Sequence, residues 1–239
     1  MNNERYMQFK KIDDNTSELL IYGDIRKKNL FEIFFGEEVD EGRTSALELS
    51  EILNQIDTPN LTVRINSYGG VVSEGLAIYN LLKSFKGNVK TIVDGFACSA
   101  ASVIFMAGKE RVVPESSLLM IHNAWTSAEG DHNDLRKAAD DLEKITQPSV
   151  NIYCSVTGQS EEQIKKWMDK ETWITSDEAL KYGFATSTEK DTESNQSFEI
   201  KSLKKLILRN KELEGMIEEK TINKIVKEDA WTSFFNKKN

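Results

Sequence analysis

Asp94-Gly-Phe-Ala-Cys-Ser-Ala-Ala-Ser102 is the stretch on which the reading of this chain turns. It follows an alternating run, Val89-Lys-Thr-Ile-Val93, and opens into apolar residues from Ala100 to Ala107. Alternation predicts a strand, and the apolar run predicts a helix. The small residues between them predict a sharp turn that lifts one side chain clear, and Ser99 is at its tip. A serine hydroxyl becomes a useful nucleophile only when a base takes its proton and fixed donors hold the developing oxyanion. By itself the stretch also fits plain tight packing of a helix on a strand, since its neighbours are all small. Ser102 lies one helical turn further on and is expected to be buried. Cys98 adjoins the tip without occupying it and reads as a buried filler.

Upstream, Leu61-Thr-Val-Arg-Ile65 alternates as a strand and leads into Asn66-Ser-Tyr-Gly-Gly70, then a helix from about Ser73 to Phe85. Paired glycines let backbone N–H groups approach a ligand. They read either as an ordinary turn or as half of an oxyanion hole, with the Ala100 N–H supplying the other half. Further back, Leu19 to Asp24 reads as a strand. Thr44/Ser45 with Glu48 reads as a capping box for a helix to about Asp57, with Leu47, Leu49, Ile52, Leu53 and Ile56 at helical spacing. Residues 29–43 are ambiguous, and residues 1–16 read as loose or as an edge. The β-α-β-α-β-α order predicts parallel strands joined by right-handed crossovers, with active groups where strands end and helices begin.

Downstream, Arg111–Val113 and Ser117–His122 read as short strands. A helix spans about 131–156, and Pro148 inside it is expected to kink or split it. Gly158 ends it. Ser160 with Gln163 caps a short helix, Thr175/Ser176 with Glu178 begins another, and Phe184 to Ser187 reads as a last strand. The organisation is a polar segment 1–17, a main domain 18–187, a polar linker 188–199 and an amphipathic extension 200–239.

Histidine is scarce: the 239 residues hold two. His122 ends an apolar strand, from which it can reach a turn on the next strand, or serve as a structural histidine. His132 begins a polar helix and reads as exposed. An acid that orients an imidazole is needed for triad chemistry. Glu171, Asp169 and Asp177 are the candidates, and spacing does not choose between them and solvated carboxylates. Two histidines exclude a His-rich metal site, and no Cys/His cluster has zinc spacing. The net charge of −8 argues against a nucleic-acid partner. Two cysteines in this length point to a reduced, cytosolic protein. The polar N-terminus lacks a signal-peptide core, and the longest apolar run ends at Lys109, which argues against a membrane partner.

In order and spacing, Ile65-Asn-Ser-Tyr-Gly-Gly70, Gly95-Phe-Ala-Cys-Ser99, Met120-Ile-His122 and Thr157-Gly-Gln-Ser160 leading to Glu171-Thr-Trp173 resemble the Clp protease proteolytic subunit family over roughly Ile21 to Ser187. Tyr22-Gly-Asp-Ile25, Tyr68 and Glu171-Thr-Trp-Ile-Thr175 are most similar to the phage and prophage branch, the Clp-related head maturation proteases. The resemblance implies an α/β, crotonase-like (ClpP-type) β-β-α superhelix, with the helix at about 131–156 as the handle that joins rings face to face. It implies a serine endopeptidase in which Ser99 is the nucleophile, His122 the base and Glu171 the acid, with Asp169 in reserve. Gly70 and Ala100 match the oxyanion-hole donors. No metal or organic cofactor is implied. The implied partners are polypeptide substrates and further copies in homo-oligomeric rings, stacked heptamers being one arrangement, with capsid or scaffold proteins or an AAA+ unfoldase beyond those. Tyr68 stands where the family has proline, Ala100 where it has methionine, and Asn123 to Glu129 lacks the family's paired glycines. Two other classes stay open at this point: a crotonase-fold acyl-CoA enzyme, which would not need Ser99 and His122 together, and a non-catalytic scaffold.

Overall fold

A computed structural model of the chain describes residues 7–27 and 43–188. Alternation sets the sheet. In β4 (Asn60–Gly70) Leu61, Val63 and Ile65 are wholly buried, while Thr62 and Arg64 on the opposite face stay partly exposed. The same pattern runs through β2 (Thr16–Ile25), where Leu19, Ile21 and Ile25 point inward. β5 (Asn88–Cys98) buries Val89, Val93 and Ala97 beside them. With β1 (Met7–Lys11), β7 (Leu118–Ile121) and β8 (Thr172–Ile174) the order across the sheet is β1-β2-β4-β5-β7-β8. The interior pairs β2–β4, β4–β5 and β5–β7 are parallel, and the outer pairs β1–β2 and β7–β8 are antiparallel. Two short strands, β3 (Arg43–Thr44) and β6 (Glu110–Val112), pair in parallel with β2 and β5.

Four of the six described helices start at a side-chain cap. α1 (Ala46–Leu53) starts at Ser45, whose hydroxyl accepts from the Glu48 N–H. α2 (Val72–Ser84) and α3 (Ala100–Phe105) follow β4 and β5 as crossover helices. α4 (His132–Thr157) is capped by Asp131 and closed by Gly158. α5 (Glu161–Asp169) is capped by Ser160, and α6 (Ser176–Tyr182) by Thr175. The core lies between the sheet and these helices. It is one cluster that includes Leu19, Ile65, Ile78, Phe105, Tyr153 and Phe184.

On the opposite face Arg64 reaches across to β5. Its Nε donates to Asp94 Oδ2 at 2.9 Å, its Nη2 to Asp94 Oδ1, and Tyr22 OH donates to Asp94 Oδ2 at 2.7 Å. This cross-strand set ties the three central strands together on a side that lacks the hydrophobic core.

Several expectations need correction. Asn66 to Gly70 is not a turn but the last part of β4, with Gly69 and Gly70 paired to Asp24 and Ile25 of β2. Likewise Gly95 to Cys98 belongs to β5. The register slips between Ile65 and Ser67, and Asn66 fills the slip: its side chain accepts from the Phe96 N–H at 3.2 Å. A Cβ on Gly95 would lie 2.7 Å from Asn66 Oδ1, so its smallness serves close packing rather than turning. α1 stops at Leu53 rather than near Asp57, and Leu47 is 71% exposed because it lies two positions from buried Leu49, on another face. Pro148 does not split α4. The carbonyl it leaves unpaired belongs to exposed Lys144, where water can reach it. Phe184 to Ser187 contributes only a single bridge, Ser187 to Val112. β1 takes the edge position, and β2 begins at Thr16 rather than Leu19. Residues 28–42, the linker beyond 188 and the extension 200–239 lie outside the described residues.

The two leucines of α1 give a direct check of its facing. Leu49→Ala is expected to cost about 2–5 kcal/mol in urea unfolding, and Leu47→Ala to stay within about 0.5 kcal/mol.

Candidate active site

Three adjacent strand ends build the site. The first is the end of β5. Ala97 and Cys98 pair with Leu119 and Met120 of β7, and the Ser99 N–H donates to the Met120 carbonyl at 2.9 Å. Pairing therefore runs up to Ser99, and the chain turns into α3 within that one residue. Ser99 adopts φ 53° and ψ −123°, a conformation that costs a residue with a side chain roughly 1–3 kcal/mol. Gly69 leaves room for it. A Cβ on Gly69 would lie 2.6 Å from the Cys98 carbonyl and 2.8 Å from Ser99 Cβ, and its φ of 98° already disfavours any other residue.

The second is the end of β7. His122 is the next residue after that strand, and parallel pairing with β5 brings it beside the elbow. Its Nε2 lies 2.8 Å from Ser99 Oγ, a hydrogen bond. The third is the start of β8. Its antiparallel register places Ile121 opposite Thr172, so the next facing pair is His122 and Glu171. Glu171 Oε2 lies 4.0 Å from His122 Nδ1, an ion-pair distance longer than a hydrogen bond, and its side chain is 51% exposed. Glu171 also has a left-handed φ of 48°.

The other candidates go elsewhere. Asp169 accepts from Asn123 Nδ2 at 2.8 Å, and Asp177 sits in the first turn of α6. His132 is exposed at the start of α4. Ser102 is fully buried. Cys98 is also buried, and desolvation pushes its thiol up to about 12, which keeps it protonated and poorly nucleophilic. Gly69 packs beneath the elbow, where a Cβ would lie 3.0 Å from the Ala100 nitrogen, and Gly70 beside it packs on β2, where a Cβ would meet the Ile25 carbonyl at 2.3 Å. Among the described residues no group of His, Cys, Asp and Glu could hold a metal ion.

Beside Ser99 and His122 opens a pocket of about 350 Å³, open mouth included. Val72, Val103 and Met168 give it apolar walls, and Thr146, Ser149 and Tyr153 line it from α4. Sequence reasoning missed these residues because they come from four helices that only tertiary packing brings together. The signal that was present is Ser149, Val150 and Tyr153, the only buried positions of an otherwise polar helix.

The profile described as Clp protease matches residues 16–191. This chain belongs to the Clp protease family. It is 31% identical over 156 residues to an ATP-dependent Clp protease proteolytic subunit of Bacteroides fragilis, covering 63% of this chain and 75% of that one. It is 32% identical over 157 residues to an ATP-dependent Clp protease proteolytic subunit 2 of Thermobifida fusca, covering 64% and 77%. Among solved structures, a mutant of ClpP1 from Listeria monocytogenes superposes with a TM-score of 0.60 at 26% identity, over 76% of this chain and 94% of that one. The mixed α/β, ClpP-type fold expected from the sequence is the fold observed. Clp proteases are peptidases, and the family typically forms oligomeric rings that act on polypeptides. No helix among the described residues is long and apolar enough to cross a membrane.

Burial sets the His122 imidazole below its ordinary 6.5, with the Glu171 charge pulling the other way. The unfolded chain therefore takes up a proton near pH 6.5 that the folded site resists, so His122 lowers stability as the pH falls through that range. In an NMR titration His122 is expected to titrate below 6.5, and in Glu171→Gln lower still, because the charge that favours the imidazolium is gone. An upward shift in that variant would mean that Glu171 does not act on this ring.

Proposed function

We propose that this protein is a serine endopeptidase that cleaves peptide bonds by acyl transfer through Ser99. The observation that carries the reading is the 2.8 Å contact between His122 Nε2 and the hydroxyl of a strained, partly exposed serine at a strand–helix elbow. His122 Nε2 accepts the Ser99 proton as Oγ attacks the carbonyl carbon. The oxyanion is held by the backbone N–H groups of Gly70 and Ala100. His122, now charged, presents Nδ1–H toward Glu171. The present 4.0 Å gap shortens when the ring carries charge, as catalytic hydrogen bonds often tighten only in the loaded site. The imidazolium then gives its proton to the leaving amine, and water repeats the sequence to free Ser99. Asp169 is occupied by Asn123 and serves as the reserve acid only if that bond opens. The chemistry needs no metal or organic cofactor. The apolar side chains of Val72, Val103 and Met168 favour an apolar group of the substrate beside the scissile bond.

The assembly reading is a homo-oligomeric ring, supported by Leu135 and Ile145, each 47% exposed on the long polar helix α4. As substrate we infer capsid or scaffold proteins of a phage head, on the strength of the Tyr22-Gly-Asp-Ile25, Tyr68 and Glu171-Thr-Trp-Ile-Thr175 features. The second reading is ATPase-coupled degradation of general protein substrates, favoured by the names of the relatives above. Cleavage of an unfolded protein only in the presence of an AAA+ unfoldase and ATP would select the second. The main domain 18–187 carries the chemistry in either case, and the extension 200–239 is proposed to serve docking on a neighbouring subunit or a capsid partner.

Labelling with a fluorophosphonate probe tests the core of the proposal. The adduct is expected on Ser99 by mass, absent in Ser99→Ala and His122→Ala, with kcat lowered roughly 10⁴–10⁶-fold in both. Absence of labelling in wild-type protein shown by light scattering to be assembled would reject the triad. Turnover of an acyl-CoA thioester retained in Ser99→Ala would instead favour the thioester class.

A further inference from the structure

Two buried hydroxyls beneath the elbow have no part in the acyl transfer. Ser102 in α3 and Tyr153 in α4 are 0% and 1% exposed, and their oxygens lie 2.7 Å apart. Ser102 Oγ also lies 2.6 Å from the Ser99 carbonyl. A carbonyl can only accept, so the single Ser102 proton goes to Ser99. Tyr153 must then be the donor to Ser102. Burial holds the Tyr153 phenol well above its ordinary range, so it stays protonated and able to donate. The direction is thus fixed: Tyr153 to Ser102 to the Ser99 carbonyl.

That carbonyl is the anchor of the elbow. It also accepts from the Ser102 N–H at 3.0 Å and the Val103 N–H at 3.3 Å. In a trans peptide the C=O and the following N–H point in opposite directions. Fixing the Ser99 carbonyl toward the interior therefore fixes the Ala100 N–H toward the substrate side. An oxyanion donor contributes only when it is aimed in advance at the place where charge develops. Ser99 itself makes no side-chain cap on α3, so its strained backbone needs restraint from elsewhere.

We propose that Tyr153 and Ser102 are positioning residues, which lock the Ser99–Ala100 peptide plane and so aim the Ala100 N–H into the oxyanion site. The catalytic meaning of this relay rests on the acyl-transfer reading above; the anchoring does not. Tyr153→Phe removes one hydroxyl and keeps the ring that packs on Phe184. Ser102→Ala removes the other.

The test combines hydrogen exchange with kinetics on the full chain, for wild type, Tyr153→Phe, Ser102→Ala and the double variant. The kinetics use a fluorogenic peptide with an apolar residue before the scissile bond, and a peptide aldehyde as oxyanion-forming inhibitor. Faster exchange at the Ser102 and Val103 amides is expected in each variant. The expected kcat loss is between about 10- and 100-fold, because a loosened donor costs less than the removal of one. KM should stay within about twofold, the aldehyde should weaken in step with kcat, and the double variant should be no worse than the poorer single one, as for residues acting in series. Unchanged exchange would overturn the anchoring. Faster exchange with unchanged kcat and aldehyde affinity would leave the pair purely structural and overturn the positioning role. If wild type neither hydrolyses the peptide nor labels at Ser99, the acyl-transfer reading falls with the catalytic half of this one, and exchange alone decides the anchoring.

Discussion

The parallel pairing of the ends of β5 and β7 is the constraint on which the site depends. Ala97 and Cys98 lie against Leu119 and Met120, and the Ser99 N–H closes the ladder on Met120. Ladder bonds that run to the last residue leave the chain no room for a gradual turn. It enters α3 through a single residue, and that residue carries the strain. The same pairing brings the end of β7 alongside, so that His122 emerges where Ser99 protrudes. β8 then adds Glu171 by antiparallel register rather than by a dedicated loop. Three side chains of the candidate site thus share one edge because backbone hydrogen bonds set their positions before any of them touches another.

Much of this was legible because periodicity and caps are local. The strands Leu61–Ile65 and Val89–Val93, the caps at Ser45, Ser160 and Thr175, and the stop at Gly158 could all be read from a few neighbouring residues. The corrections at the glycines have a common cause. Glycines at 69, 70 and 95 were read as turn residues, but they lie in strands, where another backbone or side chain approaches too closely for a Cβ. Close approach and turning call for the same residue type, and a sequence does not distinguish them. Leu47 departs from expectation for a different reason: within a short helix, Leu47, Leu49, Ile52 and Leu53 exceed what one face can bury.

For the site, the Ser99–His122 neighbourhood could be foreseen because both residues end predicted strands. The choice among the three carboxylates could not, because it depends on the β7–β8 register. Glu171 faces His122 while Asp169, two residues earlier, turns to Asn123. The pocket walls were equally hidden, since Val72, Thr146 and Met168 are distant in sequence and ordinary in type.

Mechanically, α4 is a lever with a short root. Only Ser149, Val150 and Tyr153 are buried, so the helix is gripped near its C-terminal end. From His132 to Gln147 it extends about 24 Å with no fully buried residue. A rocking of about 10° at the root would sweep the tip through about 4 Å over that length. The fulcrum contains Tyr153, one hydroxyl removed from the Ser99 carbonyl. A load applied at the far end of α4 would therefore be felt as torque on the peptide that follows Ser99.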